Sequence, residues 1–238
     1  YRAAGIRKFA FLDNGSTDGT YEWMLGQSDV DVFRTEDRYT SIAKEAWINR
    51  LVAHYGFNRW YILTDSDELV TYTGIERHPI SELVAKAEKM GRLRMPALTL
   101  DLYAREGVFL QVEREDIQKK YRWMDRDSYE QITRRIGGTL VRWFVGGPRK
   151  RGGIAASLSK YPLVYAAPGT ISANAHYQYP YRLMDYVPYN LAILHYKFIG
   201  NDQKTYAQRA QKGSGFAYGG SFYRKYLQIV QDKLGSFM

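Results

Sequence analysis

A chain of 238 residues, 45% hydrophobic and 25% charged, carries enough apolar surface for a substantial core, which excludes an intrinsically disordered chain. The absence of Cys excludes a disulfide framework and a thiolate metal site, so any metal must be held by carboxylate, imidazole or backbone oxygen, a donor set suited to a hard cation. A formal charge of +9 attracts polyanions, anionic head groups or nucleotide phosphates without choosing among them, and no zinc-finger, ribonucleoprotein-sheet or basic-zipper pattern points to specific nucleic acid.

The first expected element is a buried strand over Lys8 to Leu12, followed by the turn-rich Asp13, Asn14, Gly15 and Ser16 and a short helix carrying Tyr21, Met24 and Leu25. Val30 to Phe33 reads as a second strand. Ser41 to Tyr55 reads as a second helix, with Ile42, Ala46, Ile48, Leu51 and Val52 on its apolar side and Gly56 in the C-terminal cap position. Trp60 to Leu63 is a third apolar run that ends abruptly in Thr64, Asp65, Ser66, Asp67 and Glu68. Three strand-to-helix or strand-to-loop units predict an α/β fold whose central mixed sheet is mostly parallel and flanked by helices. Ligands of such sheets bind beyond the carboxyl ends of the strands, so Asp13 and the Asp65 to Asp67 triplet are expected to share one crevice.

An amphipathic helix follows over Ser81 to Met90, with Leu83, Val84, Ala87 and Met90 at helical spacing, and Arg92 to Leu102 reads as a strand. Residues 104 to 189 are irregular, with strand candidates at 108–112, 139–144 and 162–166 among charged, Gly-rich and aromatic stretches. Such material suits a substrate-binding half built on the same sheet better than a second core. Leu191 to Leu194 is a further short strand ending at His195, and Ser221 to Leu234 a final helix. No segment approaches the roughly 20 apolar residues that cross a bilayer, and no apolar secretory signal opens the chain.

The chemistry concentrates at the triplet Asp65, Ser66, Asp67. A Mg²⁺ or Mn²⁺ ion needs oxygen ligands and keeps open positions for water and substrate phosphates, and two carboxylates separated by one residue at the mouth of a strand provide that arrangement. An ordinary solvated turn is the plainer reading of the same triplet, but its place directly behind WYIL favours function. The stretches FLDNGSTDGT at 11–20 and WYILTDSDE at 60–68 resemble the two signatures of nucleotide-sugar-dependent glycosyltransferases with a GT-A fold, in detail the bacterial family-two-like branch. GGPRKR at 146–151, SKYPLV at 159–164 and LHYKF at 194–198 resemble that branch too, so the likeness spans residues 1 to about 200.

The resemblance implies a single domain, with a nucleotide-binding half over 1–103, an acceptor and metal-site half over 104–200 and a C-terminal helical segment over 201–238. It also implies a nucleotide-binding strand upstream of Tyr1. Asp13 would contact the base or ribose, with Asn14 and Ser16 shaping the adjoining loop. Asp65 would bridge toward ribose and metal, Asp67 would ligate the metal directly, and His195 would be a further ligand or a diphosphate contact; apart from the resemblance, His176 follows the short apolar stretch ISANA and reads as a reserve ligand. Lys197 would meet phosphate oxygen. Arg149, Lys150 and Arg151 after Gly146 and Gly147 read as a basic loop that clamps a diphosphate or meets an anionic acceptor. The implied reaction is inverting sugar transfer from a nucleotide-sugar donor to a carbohydrate or lipid-linked glycan acceptor in bacterial surface polysaccharide synthesis. Asp101, at a strand end, leads the choice of base, with Glu113, Glu115 and Asp116 as rivals. A nucleotidyltransferase and a noncatalytic polyanion-binding protein stay open as other classes. Cytoplasmic residence, with peripheral contact to the inner face of the membrane, is the expected location.

Overall fold

The computed structural model describes residues 1–105, 112–174, 176–184, 190–200, 203–212 and 220–231. In chain order the elements are β1 (Phe9–Asp13), α1 (Thr20–Leu25), β2 (Val30–Arg34), α2 (Ser41–Tyr55), β3 (Arg59–Ile62), β4 (Glu68–Thr71), α3 (Ile80–Lys89), β5 (Arg94–Asp101) and β6 (Tyr103–Ala104). There follow α4 (Ile117–Lys120), β7 (Tyr121–Trp123), β8 (Glu130–Ile136), β9 (Thr139–Val145), α5 (Pro148–Arg151) and β10 (Ser159–Ala166). The described chain ends with β11 (Ile171–Asn174), β12 (Tyr177–Tyr179), β13 (Leu191–His195), α6 (Gln203–Lys212) and α7 (Ser221–Gln231). The strand expected over 108–112 lies outside the described residues except at Val112, as does the end of the last helix beyond Gln231.

Local chemistry explains the helix limits. The Thr40 hydroxyl accepts from the Ala43 amide at 3.0 Å and starts α2, and Gly56, at a φ of 93°, takes the backbone out of it. In α3, Leu83, Val84 and Ala87 fall on one face and pack against Val70, Met95, Ala97, Leu163, Leu191 and Ile193 of the sheet, which makes the main core.

The central sheet corrects the sequence reading. Its order is β3-β10-β5-β13-β4, and only β5 and β13 pair in parallel; β10 runs antiparallel to both β3 and β5, and β4 antiparallel to β13. The fold is α/β with a mixed, mostly antiparallel five-stranded sheet, not the mostly parallel one expected of a GT-A-like nucleotide-binding fold. β1 and β2 do pair in parallel, but as a separate two-stranded sheet. The sheet takes three strands from residues 1–103 and two from 104–200, because β10 and β13 insert on either side of β5. The three units counted in the sequence are β1, β2 and β3, but only β3 enters the central sheet, where its one neighbour among the described residues, β10, runs antiparallel to it.

One consequence of the directions matters for the site. Because β10 opposes both β3 and β5, and β13 parallels β5, the three strands β3, β5 and β13 share one direction. Their carboxyl ends therefore meet at one end of the sheet, where β4 and β10 begin. Asp65, Asp101 and His195 arrive there from ends, Glu68 and Lys160 from beginnings. No helix among the described residues is long and apolar enough to cross a membrane.

Gly146 follows β9 and packs against the backbone of Ser128 and Tyr129. Its φ is 124°, and a Cβ placed there would stand 2.2 Å from the Ser128 carbonyl oxygen, so neither backbone nor space admits a side chain. Gly146→Ala is expected to destabilise the protein by about 2–3 kcal/mol, read as a lowered urea midpoint with an unchanged slope. A midpoint equal to wild type would show that the Ser128 turn yields freely.

Candidate metal centre

Strand register builds the site row by row. Side chains of directly opposed residues stand on the same face, and successive rows on that face are two residues apart. Ala97 lies beside Leu191; the next row is Thr99, Ile193 and Val70; the row after that is Asp101, His195 and Glu68. The first two rows belong mostly to the apolar core, and the third replaces it with two carboxylates and an imidazole, all buried. Asp67 joins from the preceding turn, whose carbonyl accepts from the Tyr196 amide at 2.9 Å and so holds the turn against the end of β13.

His195 is oriented from behind. Its Nδ1 lies 2.6 Å from Asp101 Oδ1, which assigns the ring proton to Nδ1, and its Nε2 lies 3.3 Å from Asp67 Oδ2. A histidine whose one nitrogen donates to a carboxylate while the other faces further acidic oxygen has the usual arrangement of a metal ligand. One ligand atom each from Asp67, Glu68 and His195 lie within 4.8 Å of one another. This cluster of two carboxylates and an imidazole can coordinate a divalent metal ion. Burial works against the charge of Asp67, but the hydrogen bond from His195 and the nearby His195, Lys197 and Lys160 charges outweigh it and keep the group ionised well below the ordinary carboxylate range. Burial likewise opposes protonation of His195, and Asp101 and Asp67 overcome it, raising its pKa.

Asp101 and Arg149 take roles different from those expected. Arg149 donates from Nε to Asp101 Oδ2 at 2.6 Å and from Nη2 to Oδ1 at 2.8 Å, and both side chains are almost wholly buried. Burial is again overcome, here by Arg149 and then His195, so Asp101 stays ionised far below the usual range. With both oxygens occupied and a strongly depressed pKa, Asp101 is placed to position His195 and not to receive a proton from an acceptor. Arg149 is not a loop clamp either: it sits in the short α5 and serves Asp101. Its neighbour Arg151 turns to Asp125 at 2.5 Å, and Lys150 is exposed.

Asp65 faces two lysines. Lys44 from α2 and Lys160 from β10 both hydrogen-bond its carboxylate, the latter at 3.1 Å, and Lys160 also contacts Glu68. Burial raises the pKa of Asp65, but the two ammonium groups bring it down to about 2. Lys44 and Lys160 thus hold Asp65 beside the cluster of Asp67, Glu68 and His195. Lys197 lies within electrostatic reach of Asp67, half-buried among the rings of Tyr206, Tyr223 and Tyr226.

Asp13 is buried at the end of β1 and organises its own loop, accepting from the Gly15 amide at 3.1 Å and the Ser16 amide at 3.2 Å, with Arg34 at 3.7 Å. It shares no hydrogen bond or ion pair with Asp65 or Asp67. The connection runs through the segment after β2: Asn14 donates to the carbonyls of Thr35 and Asp37, Thr40 caps α2, and Lys44 one turn later reaches Asp65. Glu113 and Glu115 are exposed and Asp116 pairs with Lys119 at 2.8 Å; none of the three contacts the cluster among the described residues.

Neither protein-family models nor curated proteins give a match to this chain.

His176 stands apart from the cluster. Its Nδ1 donates to the Ser159 carbonyl at 2.8 Å, and burial, then the Lys160 charge, push its pKa down to about 3. Between about pH 6.5 and 3 the unfolded chain takes up a proton that the folded protein refuses, so stability present above that window is lost as pH falls through it. His176→Gln is expected to flatten the decline between pH 6.5 and 4.5 by on the order of 1–2 kcal/mol, measured by urea unfolding at each pH. Parallel curves for the two proteins would contradict a His176 held neutral, half-buried, in the fold.

Sequence reasoning passed over Glu68, Lys44 and Lys160. Glu68 was visible as the last member of the acidic stretch, and Lys160 lay inside the quoted SKYPLV. Neither local pattern says that the two meet.

Proposed function

We propose that the chain is a metal-dependent glycosyltransferase that moves a sugar from a nucleotide-sugar donor to a hydroxyl of a carbohydrate or lipid-linked glycan. The observation that carries this reading is the convergence of Asp67, Glu68 and His195, with His195 oriented by Asp101, at the sheet end where the acidic stretch DSDE leaves β3. Mg²⁺ or Mn²⁺, when bound there, would neutralise the negative charge that develops on the departing nucleoside diphosphate. Asp67 and Glu68 would supply the oxygen ligands such ions prefer, and His195 would hold the ion through Nε2, the nitrogen not engaged by Asp101.

The chain's own residues do the positioning. Arg149 fixes Asp101, Asp101 fixes the imidazole, and the Tyr196 amide fixes the Asp67 turn, so little reorganisation is needed when charge develops. Lys44 and Lys160 hold Asp65 at the border of the site, where it can meet a donor ribose, and Lys197 brings a cation toward phosphate oxygen. The formal charge of +9 supports work beside an anionic surface such as the inner face of a bacterial membrane.

The test is a screen of nucleotide sugars with Mn²⁺, with Mg²⁺ and with chelator, scoring the phosphate product. Release of nucleoside diphosphate that stops on chelation is the expected result. Release of pyrophosphate would make the protein a nucleotidyltransferase, and no metal-dependent release from any donor would remove the transferase reading.

A further inference from the structure

Strand β10 contains Pro162, which has no amide to give to a neighbouring strand. The pairing with β5 slips around it: Lys160 lies opposite Ala97 and Leu163 opposite Met95, so three steps along β10 match two along β5. The extra residue is a bulge. It puts Lys160 and Leu163 on one face, where an unbroken strand would turn them to opposite faces. That face carries Leu163, Met95 and Ala97 into the main core and, in the rows beyond, Asp101, His195 and Glu68 into the metal centre.

Lys160 is thereby delivered to two carboxylates with only 13% of its side chain exposed. Its ammonium contacts Glu68 Oε1 and lies 3.1 Å from Asp65 Oδ2. Glu68 is still less open, at 2% side-chain exposure, and its Oε2 accepts from the Asp65 amide at 3.3 Å. Of the three groups that can coordinate a divalent ion, Asp67 and His195 face each other, while Glu68 already holds a cation. A metal ion on Glu68 therefore meets a like charge in a poorly solvated place, where water screens it little. Asp65, more open than Glu68 and already in contact with the same ammonium, gives that charge an alternative partner.

We propose that Lys160 is the resident cation of the metal centre. Without metal it compensates the buried Glu68 carboxylate. When a divalent ion arrives it yields Glu68 to the ion and keeps Asp65, an exchange that three rotatable N–H donors on a flexible stem allow. Its remaining charge opposes the ion, so Lys160 sets how tightly the centre holds its metal. This rests on the metal-dependent reading above, and Lys160 is a positioning residue in it, acting through Glu68.

Titration of Mn²⁺ into the full chain, with the free ion counted by electron paramagnetic resonance, tests the exchange. Lys160→Met keeps the stem and loses the charge, and should bind Mn²⁺ about tenfold or more tightly than wild type. Without metal the same variant should show a lower urea midpoint, because Glu68 is left buried and uncompensated, and Mn²⁺ should raise that midpoint further than it raises wild type. A merely structural lysine would not combine lost stability with gained affinity. Lys160→Gln, which keeps a hydrogen-bond donor for Glu68, should shift the affinity in the same direction. Mn²⁺ binding by both variants that equals wild type or is weaker would overturn this inference alone. Absence of Mn²⁺ binding from wild type and both variants would overturn the metal-dependent reading and this inference with it.

Discussion

Asp67→Asn is expected to lower metal-dependent turnover about 100-fold or more, a loss of roughly 3 kcal/mol of transition-state stabilisation. The replacement keeps the side-chain shape and the position 3.3 Å from His195 Nε2 but removes the negative charge that a divalent ion and its diphosphate require. Its carboxylate lies partly open to solvent, at 35% side-chain exposure, while the groups around it are buried, so the substitution falls on the open side of the site and should leave the fold intact. Initial rates with Mn²⁺, compared at matched thermal stability, make the measurement. Turnover within about threefold of wild type would show that Asp67 is not a ligand in the reacting complex.

The second large effect is structural in origin and functional in consequence. Arg149→Ala leaves Asp101 buried with His195 as its remaining partner and without the two hydrogen bonds from the guanidinium, which is expected to cost about 3 kcal/mol of stability. Replacing the pair together, Arg149→Met with Asp101→Asn, should recover much of that loss, because no uncompensated charge remains. The recovered protein should still bind Mn²⁺ about 10- to 100-fold more weakly, since His195 has lost the carboxylate that holds its ring and its Nδ1 proton. Urea unfolding of the single and double variants separates the two effects. A single variant destabilised by less than about 1 kcal/mol would mean that water reaches Asp101 and that the ion pair is not buried in solution.

Particular elements show what the sequence made legible. Helix Ser41–Tyr55 has the expected limits because Thr40 and Gly56 are local signals read within a few residues of where they act. The strand ending at His195 was equally plain, an apolar run stopped by a polar residue. Sheet direction was not, because pairing of β10 with β3 and β5 joins residues about 65 to 100 positions apart and leaves no mark on the periodicity of any one strand. Strand β4 was missed as well: ELVT is only four residues long and follows the acidic turn without a break. That is why Glu68 read as the end of a stretch when it opens the next strand and points, with Val70, into the protein.

The same locality governs the site. Asp67 and His195 could be singled out since each ends or follows an apolar run, and the structure brings their side chains to 3.3 Å. Arg149 could be noticed in GGPRKR but not its partner, 48 residues earlier, and the partner decides whether an arginine clamps a substrate or orients a histidine. The bidentate contact assigns Asp101 and Arg149 to holding His195, and Glu68 stands beside Asp67 in the acidic cluster.

The central claim is that Asp67, Glu68 and His195 hold one divalent cation through two carboxylates and an imidazole nitrogen. Electron spin-echo measurements on the Mn²⁺-loaded protein test it directly, because nitrogen bound to the ion modulates the echo. The expected result is a single Mn²⁺ site whose nitrogen modulation disappears in His195→Gln and whose occupancy falls in Asp67→Asn. Mn²⁺ bound without nitrogen modulation, or bound equally well by all three proteins, would contradict it.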